Sequence, residues 1–412
     1  MAAQRSDGAL AGLRVLDLSR ILAGPWAGQL LADLGADVVK VERPGAGDDT
    51  RSWGPPWLND AAGGTTGEAA YYLCANRNKR SVTIDLATAA GQQLVRQLAR
   101  HADVLIENFK LGGLAQYGLD YASLSASHPR LIYCSITGFG QTGPYAARAG
   151  YDFLIQGMGG LMSITGQPDG AAGAGPMKAG VALTDVLTGL YASNAVLAAL
   201  AYRQRTGRGQ HIDLALMDVQ IASLANQAAN YLVGGEAPAR LGNAHPNIVP
   251  YQDFPTADGY MIIAVGNDGQ FARLCSVLGR PEWGADGRFD SNALRVQHRQ
   301  ELVALICGVT RRRRTDDWVA LMEQAGVPCG PINTLDRVFA DPQVKARGMQ
   351  IQMAHAAAGS VPLVANPIKL SASPVEYTRS PPMLGEHTEE VLRDWLQAGS
   401  AQIAEWRAQH II

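Results

Sequence analysis

A chain of 412 residues with 47% hydrophobic and 17% charged residues is too apolar for a disordered segment and too long for one ordinary core, so two domains are expected. Its formal charge of -2 removes any general electrostatic reason to bind nucleic acid or an acidic membrane surface. Cys74, Cys134, Cys275, Cys307 and Cys329 lie far apart with no CxxC pair, which argues for reduced thiols in a cytoplasmic setting and against a zinc site. The N-terminus shows no apolar core of signal-peptide length and no stretch reaches about 18 uninterrupted apolar residues, so a soluble protein is expected.

Residues 13–18 (LRVLDL) read as a strand. The turn from Ser19 to Gly24 follows, Pro25 suits a first helical position, and the helix WAGQLLADL stops at Gly35. Residues 36–41 (ADVVKV) give a second strand, so this strand-helix-strand unit predicts a parallel sheet with a right-handed crossover. The turn carries one glycine and no G-x-G-x-x-G, so dinucleotide chemistry is not expected. Residues 43–70 form a Gly- and Pro-rich loop of the kind that frames sites, and its Trp53 and Trp57 either cover apolar surface or line a pocket. Arg77, Lys79 and Arg80 then lead into the strand VTIDL; such a run is either a solvated turn or a phosphate contact. A helix (residues 88–101), the strand ADVLIENF and the strand LIYCSI repeat the unit. Ligands of open α/β sheets lie outside the carboxyl ends of their strands, where Asn108, Phe109, Gly138 and Phe139 fall.

Residues 156–178 are too glycine-rich for a helix or a strand, whereas residues 186–204 are apolar on most faces and read as a buried helix. Asp185 stands between them, at or just before a helix N-terminus. It is either a helix cap, worth roughly 1 kcal/mol, or a carboxylate kept ionised by the helix dipole and facing a glycine loop. Beyond it come the turn TGRGQ, the strand HIDLAL and a helical region from Met217. Residues 238–250 read as a linker or active-site loop, and Tyr260 begins a second sheet followed by helices. Arg311 to Arg314 read as a solvated helix end, because no other basic cluster or aromatic interleaving accompanies them.

VLDLSRILAGP, LGADVVKVERPGAGDDTR, NRNKRSVTIDL, ADVLIENF, the D-x-x-T-G of Asp185 to Gly189, YRQRTGRGQ, AGVPCGPI and LGEHTEEVL occur in this order from Leu13 to His387. Together they resemble the class III coenzyme A transferases, the CaiB/BaiF-type family that includes formyl-CoA transferase, carnitine CoA-transferase and the 2-methylacyl-CoA racemases. The resemblance implies an α/β protein with a large Rossmann-like domain built from both chain ends, a smaller α+β middle domain, and an interlocked ring-like homodimer. Applied to this chain it implies a large CoA-binding domain over 1–215, a linker and active-site loop over 216–250, a small domain over 251–328 and a return segment over 329–412.

It further implies that Asp185 is the nucleophile, forming an acyl anhydride and then an aspartyl-CoA thioester. Oxyanion donors are expected from the loop 242–252 or the stretch after Gly138. It points to Leu22, Ala23, Arg43, Ile84, Asn108, Phe109, Gly138 and Phe139 as the CoA site. Plain core packing is the alternative for Leu22, Ile84 and Phe109. Ala87 and Gln116 stand where a lysine and an arginine are common, so Arg77, Lys79, Arg80 or Lys110 are candidate substitutes. The whole-chain flavour is that of the dicarboxylate branch, acting on succinate, glutarate and 3-hydroxy-3-methylglutarate. Arg20, Arg51 and His245 are candidates for the acceptor's unreacted carboxylate. No permanently bound cofactor, metal, nucleic acid or membrane is expected, only an acyl-CoA thioester and a small carboxylic acid. The racemase branch is the rival within the fold, but Tyr151 occupies the place of its histidine, and a phenol is a poor base at neutral pH. A non-catalytic CoA-binding protein is the rival outside it.

Overall fold

In the computed structural model, which describes residues 8–412, the chain forms two compact units. The first comprises the chain up to Leu161, Lys178–Gly234 and Gln343–Ile412; the second comprises Met162–Met177 and Gly235–Pro342. The first seven residues, which belong to the N-terminal segment read above, lie outside the described residues.

The first unit is built on six strands, β1 (Arg14–Asp17), β2 (Asp37–Glu42), β3 (Lys79–Thr83), β4 (Val104–Glu107), β5 (Ile132–Thr137) and β6 (His211–Ala215). All neighbours run parallel, in the order β3-β2-β1-β4-β5-β6. The registers Leu16↔Val39, Leu16↔Leu105 and Leu105↔Tyr133 carry one row of side chains across the sheet. Alternation along the four central strands, β2, β1, β4 and β5, gives each of them two apolar faces. Leu16, Val39, Leu105 and Tyr133 pack on one side with α2 (Ala89–His101) and with the returning helix Thr388–Leu396, through Leu94, Leu98, Leu392 and Trp395. Val15, Val38, Val104 and Ile132 pack on the other with α1 (Ala23–Asp33) and α4 (Leu183–Thr206). Coverage of both faces is what a parallel sheet requires.

The α4 helix differs from its sequence reading. Its buried stripe is Asp185, Thr188, Ala192, Val196 and Ala199, at helical spacing, but Leu190, Tyr191, Leu197 and Tyr202 are exposed on the other side. It is the one described helix long and apolar enough to cross a membrane.

The run Arg77, Lys79, Arg80 is neither solvated nor left free for a phosphate. Arg77 pairs with Asp33 at 2.5 Å, Lys79 with Asp17 at 3.0 Å, and Arg80 with Asp37, Glu390 and Asp394. The last two carboxylates sit on the returning helix, so this cation run ties the C-terminal segment to β3. Sequence spacing hid the pairs because the acids are 43 to 314 residues away.

The second unit contains a three-stranded antiparallel sheet, with Tyr260–Ala264 between Tyr251–Pro255 and Cys329–Pro331. Phe254, Met261 and Ile263 pack there against Phe271, Leu302, Ile306 and Trp318. Arg311 to Arg314 are exposed at the end of a helix in this unit.

Candidate active site

The strand order reverses between β1 and β4, and at that switch point the loops after the two strands leave in opposite directions. A cavity of about 370 Å³ opens there. Its walls include Arg20 to Ala23 after β1, Asn108 to Leu111 after β4, Thr137 and Gly138 at the end of β5, and Asp185.

The β1 turn is held by hydrogen bonds that no local sequence pattern specifies. Asn108 accepts from Arg20 N at 2.9 Å and donates to Arg20 O at 2.7 Å, stitching the two loops together. Ile21 lies at φ 73°, a left-handed conformation that a β-branched residue adopts only when its surroundings impose it. Asp48 imposes it by accepting from Ile21 N at 3.2 Å. Asp48 is itself fixed by Lys40 at 2.8 Å, and Lys40 donates to Ser19 O at 2.7 Å.

Asp185 is the third residue of α4 and not its cap; the cap position is Ala182, which offers no side-chain acceptor. The capping carboxylate is Asp152, on α3 (Asp152–Met158), which accepts from Thr184 N at 2.8 Å and Asp185 N at 3.2 Å. Two close backbone contacts fix this arrangement. At Gly189 a Cβ would stand 2.8 Å from Ala23 O and 2.9 Å from the Trp26 side chain, so α4 lies directly on α1. At Gly138 a Cβ would stand 2.6 Å from Gly150 Cα, which brings the start of α3 against the end of β5.

Asp185 is 8% exposed, and no hydrogen bond reaches its carboxylate among the described residues. Burial first, and the neighbouring Asp152 second, push its carboxyl up to about 7. The helix N-terminus does not hold it in the ordinary carboxylate range, contrary to the dipole argument from sequence. Tyr71, on the short helix Ala70–Leu73, feels the same carboxylate: burial and then Asp185 push its phenol up to about 12.

A sequence profile of CoA-transferase family III matches residues 10–388. The chain belongs to this CoA-transferase family. It is 55% identical to the succinate--glutarate CoA-transferase of Agrobacterium fabrum, over 93% of this chain and 95% of that protein. It is 44% identical to the succinyl-CoA:glutarate CoA-transferase of Homo sapiens, over 96% of this chain and 88% of that protein. The crystal structure of a CaiB/BaiF family protein from Brucella suis superposes with a TM-score of 0.83 at 53% identity, covering 95% of this chain and all of that one.

In this CoA-transferase the cavity unites Asp185 with Leu22, Ala23, Asn108, Phe109 and Gly138, and with Arg20. The other residues named from sequence lie elsewhere. Ile84 is buried in the core beneath α2, Phe139 packs edge-on to Tyr145 at 5.6 Å, and Arg43 is exposed outside the cavity lining. Arg51 is buried and committed: it pairs with Glu42 at 2.7 Å and Glu68 at 2.6 Å and lies over the Tyr72 ring at 3.7 Å. Arg20 is exposed and pairs with Asp49 at 2.8 Å. His245 belongs to the second unit, where it meets Tyr251 at 5.2 Å. Lys110 and Arg148 line the cavity with no ion pair among the described residues. Asp152, Tyr71, Lys40 and Arg148 lie outside the candidates named from sequence; Asp152 alone carries a local signal, through its place beside Tyr151.

Proposed function

We propose that the chain moves CoA from succinyl-CoA to a dicarboxylate such as glutarate, with Asp185 as the nucleophile. The observation that carries this reading is a desolvated carboxylate with no hydrogen-bond partner at the wall of the switch-point cavity. A carboxylate stripped of water and donors is a stronger nucleophile than a solvated one, and its raised proton affinity reflects the same environment. Asp185 attacks the thioester carbonyl and CoA leaves as thiolate, giving a mixed anhydride of Asp185 and the donor acid. The thiolate attacks the aspartyl carbonyl, releasing the donor carboxylate and leaving an aspartyl-CoA thioester. The acceptor carboxylate then attacks that carbonyl and expels the thiolate. The thiolate finally takes the acyl group from the new anhydride, which restores the Asp185 carboxylate. Each step exchanges one acyl link for another, so neither water nor a metal enters the balance.

Leu22, Ala23, Asn108, Phe109 and Gly138 are assigned to the CoA arm lying in the cavity. Lys110 and Arg148 are the available cations for its phosphates or for the acceptor's free carboxylate, in place of the buried Arg77, Lys79 and Arg80. The dicarboxylate choice is supported by the names of the relatives at 55% and 44% identity. A cytoplasmic homodimer completes the reading, supported by the exposed apolar side of α4 and by Leu232 and Val233, 79% and 91% exposed. Incubation with succinyl-CoA and a panel of mono- and dicarboxylates, with product thioesters identified by mass, tests the reading. Glutaryl-CoA formation is expected. Transfer confined to monocarboxylates would remove the dicarboxylate assignment, and exchange of the donor's alpha proton without transfer would point to the racemase branch.

A further inference from the structure

A helix start leaves its first amides without partners, and an acid three residues in is well placed to fold back on them. Asp185 occupies that position in α4, yet its carboxylate makes no such bond. The reason is that Asp152 has already taken Thr184 N and Asp185 N with one oxygen. Its second oxygen is held by Gln156 Nε2 at 2.7 Å, and Gln156 accepts from Ala179 N at 2.9 Å, so the approach to the helix is pinned by the same brace. Thr184 adds a third tie, donating its hydroxyl to Gln220 at 2.6 Å on α5 (Leu216–Ala222). Thr184, Gln156 and Gln220 are fully buried, which keeps water from competing for these bonds.

Resting on the reading of Asp185 as nucleophile, we propose that Asp152 is the positioning residue of this reaction: it caps α4 from a neighbouring helix, so that the Asp185 carboxylate stays free to face the cavity. Its charge has a second effect, because it stands beside Asp185 and strengthens that group's hold on a proton. The other titratable neighbour is Tyr71, on the helix Ala70–Leu73. Arg20, Lys110, Arg148 and Tyr151 line the same cavity. The α1 helix meets α4 through Ala23 and Trp26, and α5 meets its first turn through Gln220. None of these side chains is itself altered by substituting Asp152, so a displaced pH profile is assigned to Asp152.

Two variants separate the cap from the charge. Asp152→Asn keeps an oxygen for the two amides, removes the charge and gives up the bond from Gln156 Nε2. It is expected to hold kcat within about threefold of the parent at pH 8 and to move the acid limb of kcat/KM down by about one pH unit. Asp152→Ala removes both, and Asp185 then turns to its own amides. Its kcat is expected to fall roughly 30- to 100-fold, the loss typical of a displaced reacting group, with KM for the acyl-CoA within about threefold. An Asp152→Ala protein that melts like the parent and keeps its kcat overturns the proposal. So does an Asp152→Asn protein that loses as much rate as Asp152→Ala or keeps the parent's pH midpoint, and this variant decides alone if Asp152→Ala does not fold. Transfer that survives Asp185→Ala would instead sink the nucleophile reading, whatever Asp152 does.

Discussion

Asp48 and Asp185 are both buried carboxylates of the first unit, close to the ends of the same sheet, and they are treated in opposite ways. Asp48 is met by the Lys40 ammonium at 2.8 Å, by Thr50 N at 3.0 Å and Thr50 Oγ1 at 2.8 Å, and by Ile21 N. Burial alone would raise its carboxyl, but Lys40 and the Thr50 donors outweigh that and hold it down to about 2. Asp185 has burial without donors, and a second carboxylate beside it, and is pushed up to about 7. A buried charge with its partners fixes a backbone turn; a buried charge without them is left with unspent reactivity.

The sharpest way to break this comparison is to remove the unpartnered charge. Asp185→Ala is expected to lower transfer by roughly 10⁴-fold or more, as loss of a covalent nucleophile does, while acyl-CoA binding persists in a calorimetric titration. Lys40→Met makes the partnered carboxylate resemble the unpartnered one. It strands Asp48 and removes the donor to Ser19 O, so a loss of about 3–5 kcal/mol is expected from urea midpoints. A variant as stable as the parent would mean that the Lys40 pair does not hold the β1 turn.

The two carboxylates also give pH dependences of opposite sign. Asp48 has a folded-state value below its unfolded value, so its contribution is present above about pH 4 and is lost as pH falls toward 2. Asp185 has a folded-state value above its unfolded value, so its cost is absent below pH 3.8, grows as pH rises from there to about 7 and is complete above 7. Asp185→Asn removes that cost. Above pH 7.5 it is expected to exceed the parent in stability by on the order of 2–4 kcal/mol, with the gap closing as the solution is acidified. Denaturation curves at pH 4.5 and 8 check this, and a gap of equal size at both would detach it from ionisation. The reaction runs the other way: kcat/KM is expected to fall about tenfold per pH unit below 7, because a protonated Asp185 is no nucleophile.

Much of the scaffold was legible in sequence because short-range signals specify it. Short apolar runs and the Pro25 and Gly35 punctuation marked out β1, α1 and β2, and strand-end positions led to Asn108 and Gly138 in the cavity wall. The position of Asp185 next to an apolar helix was legible too. Its environment was not, because that depends on Asp152, 33 residues away, and on burial that no local pattern encodes. The same holds for Arg51 and Arg77: each looks like a free cation in a polar stretch, and each is buried against carboxylates brought from other strands and helices. The apolar side of α4 was misread for a related reason, since periodicity reports which faces are apolar and not which of them this chain covers itself.

A smaller effect is expected where two backbones nearly touch. Gly150→Ala places a Cβ 2.5 Å from Gly138 Cα, and backbone cannot give way as a side chain tip can. A cost of about 1–3 kcal/mol is expected, with a loss of kcat as α3 and its Asp152 shift away from α4. Parent-like kcat in a measurably destabilised Gly150→Ala protein would separate the packing of this contact from the placement of the cap.

The smallest expected effect marks the far end of the comparison, a charge pair that is neither buried nor alone. Arg20 and Asp49 meet at 2.8 Å with side chains 55% and 49% exposed, so water already solvates both and their attraction is screened. Arg20→Ala is expected to change stability by less than about 0.5 kcal/mol, because the β1 turn is held through the backbone of Arg20 by Asn108 and not through its side chain. The variant therefore isolates the guanidinium at the cavity wall. A raised KM for glutarate with an unchanged KM for succinyl-CoA would assign that group to the acceptor's free carboxylate, and equal shifts in both would assign it to CoA. Unchanged values for both would leave Lys110 and Arg148 as the cavity's working cations.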